Sequence, residues 1–135
     1  MKNNLTFKTD LSFVSAEYDS AGENWAFFFE NNTLINASGF WRLLDNDKIV
    51  LVSLDHNQKF GLSEPVDLQT ALNRILASKK LLEIRISDST CDLQLIISKN
   101  LKIEIFISSS GYETYNFTTD GKHYIGLGSG DLAIL

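Results

Sequence analysis

The sequence predicts an α+β protein that is mainly antiparallel β and has a single helix. Apolar and polar residues alternate with a period of two along much of the chain, which is typical of strands with one buried face. Only one segment, at about residues 66–78, repeats its apolar residues with helical spacing. Turn signals separate the strands, so we expect either two hairpin-rich sheets or one strongly curved sheet.

Three hairpins are the clearest elements, and each turns at residues that tolerate a left-handed backbone. They are predicted over residues 93–107, 25–35 and 112–127. Their turns fall at Ser98-Lys99-Asn100, Asn31-Asn32 and Thr119-Asp120-Gly121. Further strands are predicted over residues 5–14, 40–44, 49–54 and 81–87, with a closing strand over 132–135.

The single helix has recognisable ends as well as an apolar face. Leu68, Leu72 and Leu76 recur at intervals of four residues, which places them on one side of a helix. Asp67 precedes them and can accept hydrogen bonds from the free amide groups of the first turn. Lys79 follows near the end of the segment, where the helix dipole favours a cation.

A faint repeat relates the two parts of the chain on either side of this helix. The order of features after residue 27 is a hairpin, a glycine, an aromatic strand, a polar turn and a strand, and it recurs after residue 95. The repeat predicts two similar sheets flanking the helical segment. With 135 residues and no Gly/Ser-rich linker, we expect residues 1–135 to form a single domain.

Composition and charge exclude several classes of protein. The chain is 44% hydrophobic and 21% charged, which is ordinary for a globular protein and unlike a disordered tail. Its net charge of −5 argues against nucleic-acid binding, which depends on lysine and arginine neutralising phosphates. We therefore expect no nucleic-acid partner.

The sequence also favours a cytoplasmic location. Lys8 and Asp10 interrupt the apolar stretch that a secretory signal needs, and no run approaches the roughly 18 apolar residues of a membrane span. The single cysteine, Cys91, cannot form an intramolecular disulfide, which suits a reducing compartment. We expect no membrane partner.

Few residues carry the chemistry of an active site or a metal centre. Two histidines and one cysteine do not supply the closely spaced ligand pairs of a structural zinc site, so we expect neither metal nor cofactor. His56 next to Asp55 resembles a base with its orienting carboxylate, but no nucleophile stands near it. The glycines at 126, 128 and 130 do not match a dinucleotide-binding spacing and instead indicate a bulge or a close approach of backbones near the end of a sheet. No catalytic residue is assigned.

Acidic residues are concentrated in the first third of the chain. From Asp10 to Asp47 there are seven acidic residues and one basic residue, Arg42. Such a segment attracts positively charged partners, although it would equally keep a small domain soluble. The candidate partner-binding residues are Asp19, Glu23, Glu30, Asp45 and Asp47, with Trp41 as an aromatic anchor.

A series of short motifs resembles a family of small bacterial proteins of unassigned function. Their order carries the resemblance: Trp41-Arg42-Leu43, Asp55-His56-Asn57-Gln58-Lys59-Phe60-Gly61-Leu62, Pro65-Val66-Asp67, Asp92-Leu93, Ser109-Ser110-Gly111-Tyr112-Glu113 and Gly126-Leu127-Gly128-Ser129-Gly130. Members typically carry an aromatic residue, often tryptophan, two positions after the glutamate of the Gly-Tyr-Glu motif, and Tyr115 stands there in this chain. The motif residues Trp41, Gly61, Gly111 and Tyr112 are interpreted as determinants of the fold.

This family looks like the immunity proteins that are encoded beside polymorphic and contact-dependent inhibition toxins. The resemblance implies a non-enzymatic protein that binds and neutralises a cognate toxin domain in the cytosol, by occluding its active site. A nuclease toxin would suit an acidic inhibitor, because its cleft must bind an anionic substrate. The alternatives are a structural or regulatory module that self-associates as a homo-oligomer, and an enzyme that uses His56 and Asp55.

Overall fold

The computed structural model of the protein describes residues 5–119 and 121–135. It consists of one antiparallel 11-stranded sheet and one α-helix, which confirms the predicted α+β class. In chain order the elements are β1 (Leu5–Asp19), β2 (Asn24–Phe29), β3 (Thr33–Ala37), β4 (Trp41–Asp45), β5 (Lys48–Val52), α1 (Leu68–Leu76), β6 (Lys80–Ile86), β7 (Leu93–Ile97), β8 (Leu101–Ile105), β9 (Tyr115–Thr119), β10 (Lys122–Gly126) and β11 (Leu132–Ile134).

Strand β1 joins the two halves of the sheet. Its first part pairs with β6 from Leu5 to Ser12, and its second part pairs with β2 from Phe13 to Asp19. The register shifts once against each neighbour, and such bulges bend a strand. Half-sheet A therefore has the order β1-β6-β7-β8-β4-β5, and half-sheet B has the order β1-β2-β3-β9-β10-β11.

The core lies between the two half-sheets, which face each other across aromatic side chains. Trp41 on β4 of half-sheet A lies with its ring 5.2 Å from that of Trp25 and 5.8 Å from that of Phe27, both on β2 of half-sheet B. Phe7 on β1 similarly contacts Tyr124 on β10, with the rings 5.0 Å apart. One curved sheet thus folds over its own core, which is the second of the two predicted arrangements.

The strands follow the order of features in the repeat, but the prediction of two similar sheets flanking the helix is wrong, because all strands belong to one sheet. The hairpin β2-β3 of half-sheet B is followed by β4 and β5, which cross over to half-sheet A, where β4 pairs with β8. The hairpin β7-β8 of half-sheet A is followed by β9 and β10, which cross in the opposite direction to half-sheet B, where β9 pairs with β3. Each half-sheet therefore contains strands from both repeats.

Several predicted boundaries differ from the observed ones. Strand β1 continues five residues beyond the predicted end at Val14, because it pairs with β2 after it leaves β6. Strand β9 begins at Tyr115, so that Tyr112 lies in a loop and not in the third hairpin. Asp120, which belongs to the predicted turn of that hairpin, lies outside the described residues. The helix covers nine residues, fewer than predicted.

Helix α1 covers the edge of β1 beyond Ser12, where the pairing of β1 with β6 stops. The Asn73 side chain accepts a hydrogen bond from the Ala16 backbone N–H at 3.0 Å and donates one to the Ala16 carbonyl at 2.8 Å. The Gln69 side chain accepts from the Tyr18 N–H at 2.9 Å. These amides satisfy backbone groups that a neighbouring strand would otherwise pair.

Among the residues that the structure describes, no helix has the length and apolar character needed to cross a membrane.

Asn73 offers a direct test of this role of the helix. We expect Asn73→Ala to lower the free energy of unfolding by about 1–3 kcal/mol, because two partly buried backbone groups of Ala16 lose their partners. Urea denaturation of the purified protein measures the change. The exposed neighbour Arg74 serves as a control, and Arg74→Ala should change stability by no more than about 0.5 kcal/mol. Equal effects of the two substitutions would contradict the proposed role.

Candidate functional site

The connections between successive elements alternate between the two ends of the folded sheet. Because every strand pair is antiparallel and α1 also runs from one end to the other, every second connection lies at the same end. One end, called here the loop end, carries residues 19–24, 38–40, 53–67, 87–92, 106–114 and 127–131. The other, called the turn end, carries residues 30–32, 45–48, 77–80, 98–100 and the connection from Thr119 to Lys122.

The two ends differ in the kind of connection they contain. At the turn end, three hairpins close through pairs of left-handed residues: Asn31 and Asn32, Asn46 and Asp47, and Lys99 and Asn100. Such pairs are typical of the tight turns that match the twist of antiparallel strands. At the loop end most connections are longer. Long loops on a rigid sheet are where binding residues usually lie.

Three of the loops at the loop end, residues 87–92, 106–114 and 127–131, contact one another. The Ser129 hydroxyl donates to the Ser110 carbonyl at 2.5 Å, and the Cys91 thiol donates to the Gly130 carbonyl at 2.9 Å. A side chain at Gly128 would collide with the backbone of Gly111, with its Cβ 2.2 Å from the Gly111 nitrogen. The close backbone approach predicted from the glycine-rich ending is therefore confirmed at this position.

Acidic residues are concentrated at the loop end. Nine acidic residues lie there, against one basic residue, Lys59. The nine are Asp19, Glu23, Asp55, Glu64, Asp67, Asp88, Asp92, Glu113 and Asp131. The turn end has the opposite balance, with five lysines and three acidic residues among its described positions. Nine acidic residues and one lysine give the loop end a formal charge of −8, which is more negative than the net charge of the whole chain, −5.

The structure does not bring the five predicted acidic residues together. Asp19 and Glu23 lie at the loop end, whereas Glu30, Asp45 and Asp47 lie at the turn end. Strand β2, six residues long, separates the two ends by roughly 17–20 Å. All five are exposed, but Glu30 accepts a hydrogen bond from the Ser12 N–H at 2.8 Å, and Asp47 lies 3.9 Å from the Lys102 ammonium. The expectation of one continuous acidic face is corrected accordingly.

Trp41 does not supply the expected surface anchor. Its side chain is 0% exposed, because it fills the space between the two half-sheets. Its interpretation as a determinant of the fold is consistent with this position. Tyr112 differs from that interpretation, since it is 81% exposed at the loop end and packs in no sheet. The exposed aromatic residues of the loop end are Phe60 and Tyr112.

His56 connects the longest loop to the sheet. Its ring lies 4.7 Å from that of Tyr18 and 4.9 Å from that of Trp25, and its Nδ1 accepts a hydrogen bond from the Leu68 N–H at 3.1 Å. Burial lowers the pKa of His56, and the nearby Asp67 carboxylate opposes this effect. His56 therefore helps to hold the start of α1, together with the capping Asp67.

A groove of about 530 Å³ lies beside His56 at the start of α1. Its walls include the carboxylates of Glu64 and Asp67 and the side chain of Asn57. The Thr70 hydroxyl and backbone N–H donate to Asp67, and these bonds lower the pKa of its carboxyl group. The groove is thus lined by two acidic residues, Glu64 and Asp67.

The charges on the outer face of half-sheet A are paired with one another. Arg42 bonds to Glu104 at 2.6 Å, Arg85 bonds to Glu83 at 2.6 Å, and Lys8 also contacts Glu83. These pairs compensate most of the charge on that face. The loop end differs, because within the described ranges Glu23, Glu64 and Asp131 form no ion pair.

Among the described residues, the histidine, cysteine and carboxylate side chains form no group that could hold a metal ion. Comparisons of the chain with protein-family models, with curated proteins and with solved structures gave no match. Geometry and charge at the loop end are therefore the basis for assigning a function.

Sequence reasoning missed Glu64, Glu113 and Asp131, although a signal for them exists. In an antiparallel sheet, alternate connections lie at the same end, so charges summed over alternate connections would have identified the loop end. The predicted acidic residues from Asp19 to Asp47 are close in the sequence, but the structure divides them between the loop end and the turn end.

The pH dependence of stability tests the placement of His56. Its pKa is lower in the folded protein than in the unfolded chain, so the folded state favours the neutral ring. Its contribution is fully present above pH 6.5 and is lost as the pH falls below that value and through the lowered pKa. We expect the free energy of unfolding to fall between pH 7.5 and 5, and this fall should shrink in His56→Gln.

His123→Gln, which removes the other histidine, is the matched control for that measurement. Urea denaturation at several pH values measures all three proteins. If His56→Gln and the wild type lose stability equally over this range, the buried environment assigned to His56 is wrong.

Proposed function

We propose that the protein is a cytoplasmic immunity protein that binds a cognate toxin domain of the nuclease class and covers its active site with the loop end. One observation carries the proposal: nine acidic residues and one lysine lie at the loop end of the molecule. In this proposal the protein acts by binding, uses no cofactor or metal and has a protein as its partner, with neither nucleic acid nor membrane involved.

Electrostatic complementarity supports this choice of partner. A nuclease cleft must be basic, since its substrate is a polyanion, and a dense set of carboxylates attracts such a surface and accelerates association. The groove lined by Glu64 and Asp67 offers a place for a lysine or arginine from the cleft. Most of the motifs that resemble the immunity family also lie at or beside this end, from Asp55 to Asp67 and from Ser109 to Glu113.

A pair of triple substitutions tests the proposal with equal changes in charge. The loop-end triple is Glu23→Gln, Glu64→Gln and Glu113→Gln, and the turn-end triple is Glu30→Gln, Asp45→Asn and Asp47→Asn. The binding partner is the purified, catalytically inactivated toxin domain that the gene immediately upstream would encode. We expect the loop-end triple to slow association about tenfold at low salt and to weaken its salt dependence.

The turn-end triple should associate within about twofold of the wild-type rate, since its charges lie at the far end of the sheet. Stopped-flow association at several ionic strengths measures both, and co-expression with the active toxin measures protection of growth. Equal slowing by the two triples would contradict the loop end as the binding surface. Absence of both binding and protection by the wild type would reject the proposed function.

A second candidate function, self-association, is favoured by the outer face of half-sheet B. The outward positions of β2, β3, β9 and β10 carry no acidic or basic residue apart from His123. These half-buried positions are Asn24, Ala26, Phe28, Leu34, Asn36, Asn116, Thr118, His123 and Ile125. Uncharged sheet faces of this kind are typical of interfaces between subunits.

Light scattering over a range of protein concentrations tests this second candidate. Self-association through the face predicts a dimer that Phe28→Lys converts into a monomer, because a charge would be buried at its centre. Tyr112→Lys, at the loop end, is the control and should leave the dimer intact. A wild-type protein that stays monomeric at all concentrations would reject this candidate.

A further inference from the structure

The loop over residues 53–67 displays apolar side chains at the loop end. Leu54, Phe60 and Leu62 are 70%, 66% and 60% exposed. Single exposed apolar residues are common on protein surfaces and need no explanation by themselves. Two of them, Phe60 and Leu62, lie at the tip of the loop, where hydrogen bonds fix the backbone.

Hydrogen bonds clamp the two arms of the loop together. The Asn57 N–H donates to the Val66 carbonyl at 2.9 Å, and the Val66 N–H donates to the Gln58 carbonyl at 2.8 Å. The Leu62 N–H donates to the Lys59 carbonyl at 2.7 Å, which closes a tight turn at the tip. The tip is therefore held away from the sheet in a defined conformation, and its side chains need little further ordering on binding.

The conformation of Phe60 is costly for folding. Its φ is 47°, in the left-handed region that a bulky residue rarely adopts. The next residue, Gly61, has a φ of 80°, and a side chain added there would meet nothing within 4 Å. A large aromatic side chain thus stands in a strained backbone and is mostly exposed to solvent. Such outliers in a structure are a reason to look for a function.

The charges around the tip indicate what kind of molecule covers it. Asp55, Glu64 and Asp67 lie in the same loop, with Lys59 as its only basic residue. This balance disfavours an anionic membrane surface and favours a protein with a basic rim. Stable interfaces commonly place aromatic anchors in a central pocket and surround them with polar residues.

We propose that Phe60 and Leu62 form a hydrophobic anchor, which inserts into an apolar pocket inside the basic surface of the protein partner. The neighbouring carboxylates contact the basic rim of that pocket. This inference rests on the proposed function and adds to it the residues that retain the partner once it is bound. Phe60 then has the role of aromatic anchor that Trp41, buried in the core, does not fill.

Substitution of Phe60 by glycine separates binding from folding. Glycine adopts a φ of 47° without strain, so Phe60→Gly should keep the midpoint of thermal unfolding within a few degrees of the wild type. We expect it to accelerate dissociation from the inactivated upstream toxin domain about 10- to 100-fold. Association and its salt dependence should be unchanged, because no charge is altered. Leu62→Ala should have a smaller effect in the same direction.

Leu135→Ala is the matched control, since Leu135 is 76% exposed and bonds to His123 on the far side of the sheet from the loop end. It should dissociate at the wild-type rate. If Phe60→Gly and Leu62→Ala dissociate like the wild type while the loop-end charge triple still slows association, the anchor is wrong and the proposed function stands. If the wild type neither binds the toxin domain nor protects growth, both are wrong.

Two further measurements distinguish other occupants of the loop tip. Binding of the wild type to vesicles of phosphatidylserine and phosphatidylcholine that is lost in Phe60→Gly would assign the tip to a membrane and overturn the inference. A wild-type dimer in light scattering that Phe60→Gly dissociates would assign it to a second copy of the chain, with the same consequence. A monomer that does not bind these vesicles is the expected result.

Discussion

The pairing of β1 with two different neighbours determines the rest of the structure. Its first part pairs with β6 and its second part with β2, so the sheet must change direction within this strand. The change brings half-sheets A and B face to face and encloses Trp25, Phe27 and Trp41 between them. It also leaves one edge of β1 without a strand, and α1 covers that edge through the amides of Asn73 and Gln69.

The same antiparallel arrangement produces the unequal ends of the molecule. Because connections alternate between ends, the chain can place long loops at one end and tight turns at the other without changing the core. Nine acidic residues lie on the loops, and five lysines lie among the turns. Most aromatic residues of the strands are buried in the core, whereas Phe60 and Tyr112 in the loops are largely exposed and available to a partner.

Local features of the fold could be predicted from the sequence, whereas its long-range pairing could not. The Asn31-Asn32 turn and the cap at Asp67 depend on residues a few positions apart, and both are found as expected. The exchange of strands depends on pairs such as Arg42 with Glu104, which are 62 residues apart. No periodicity reveals which of many similar strands become neighbours.

The candidate site could likewise be predicted only in part from the sequence. The acidic character of the chain was evident in its composition, but the grouping of Asp19 with Glu64 and Asp131 depends on which end each connection occupies. The sequence predicts Trp41 both as a surface anchor and as a determinant of the fold, and the facing half-sheets, which enclose it, decide between the two.

The exchange of strands between repeats constrains the order of events during synthesis on the ribosome. Strand β4 requires β8, which ends at Ile105, and β3 requires β9, which ends at Thr119. The first repeat therefore emerges with two unpaired strand edges, and neither half-sheet can be completed before most of the chain has been translated. Open edges can pair with other chains, so the growing polypeptide is exposed to mispairing until its second repeat has emerged.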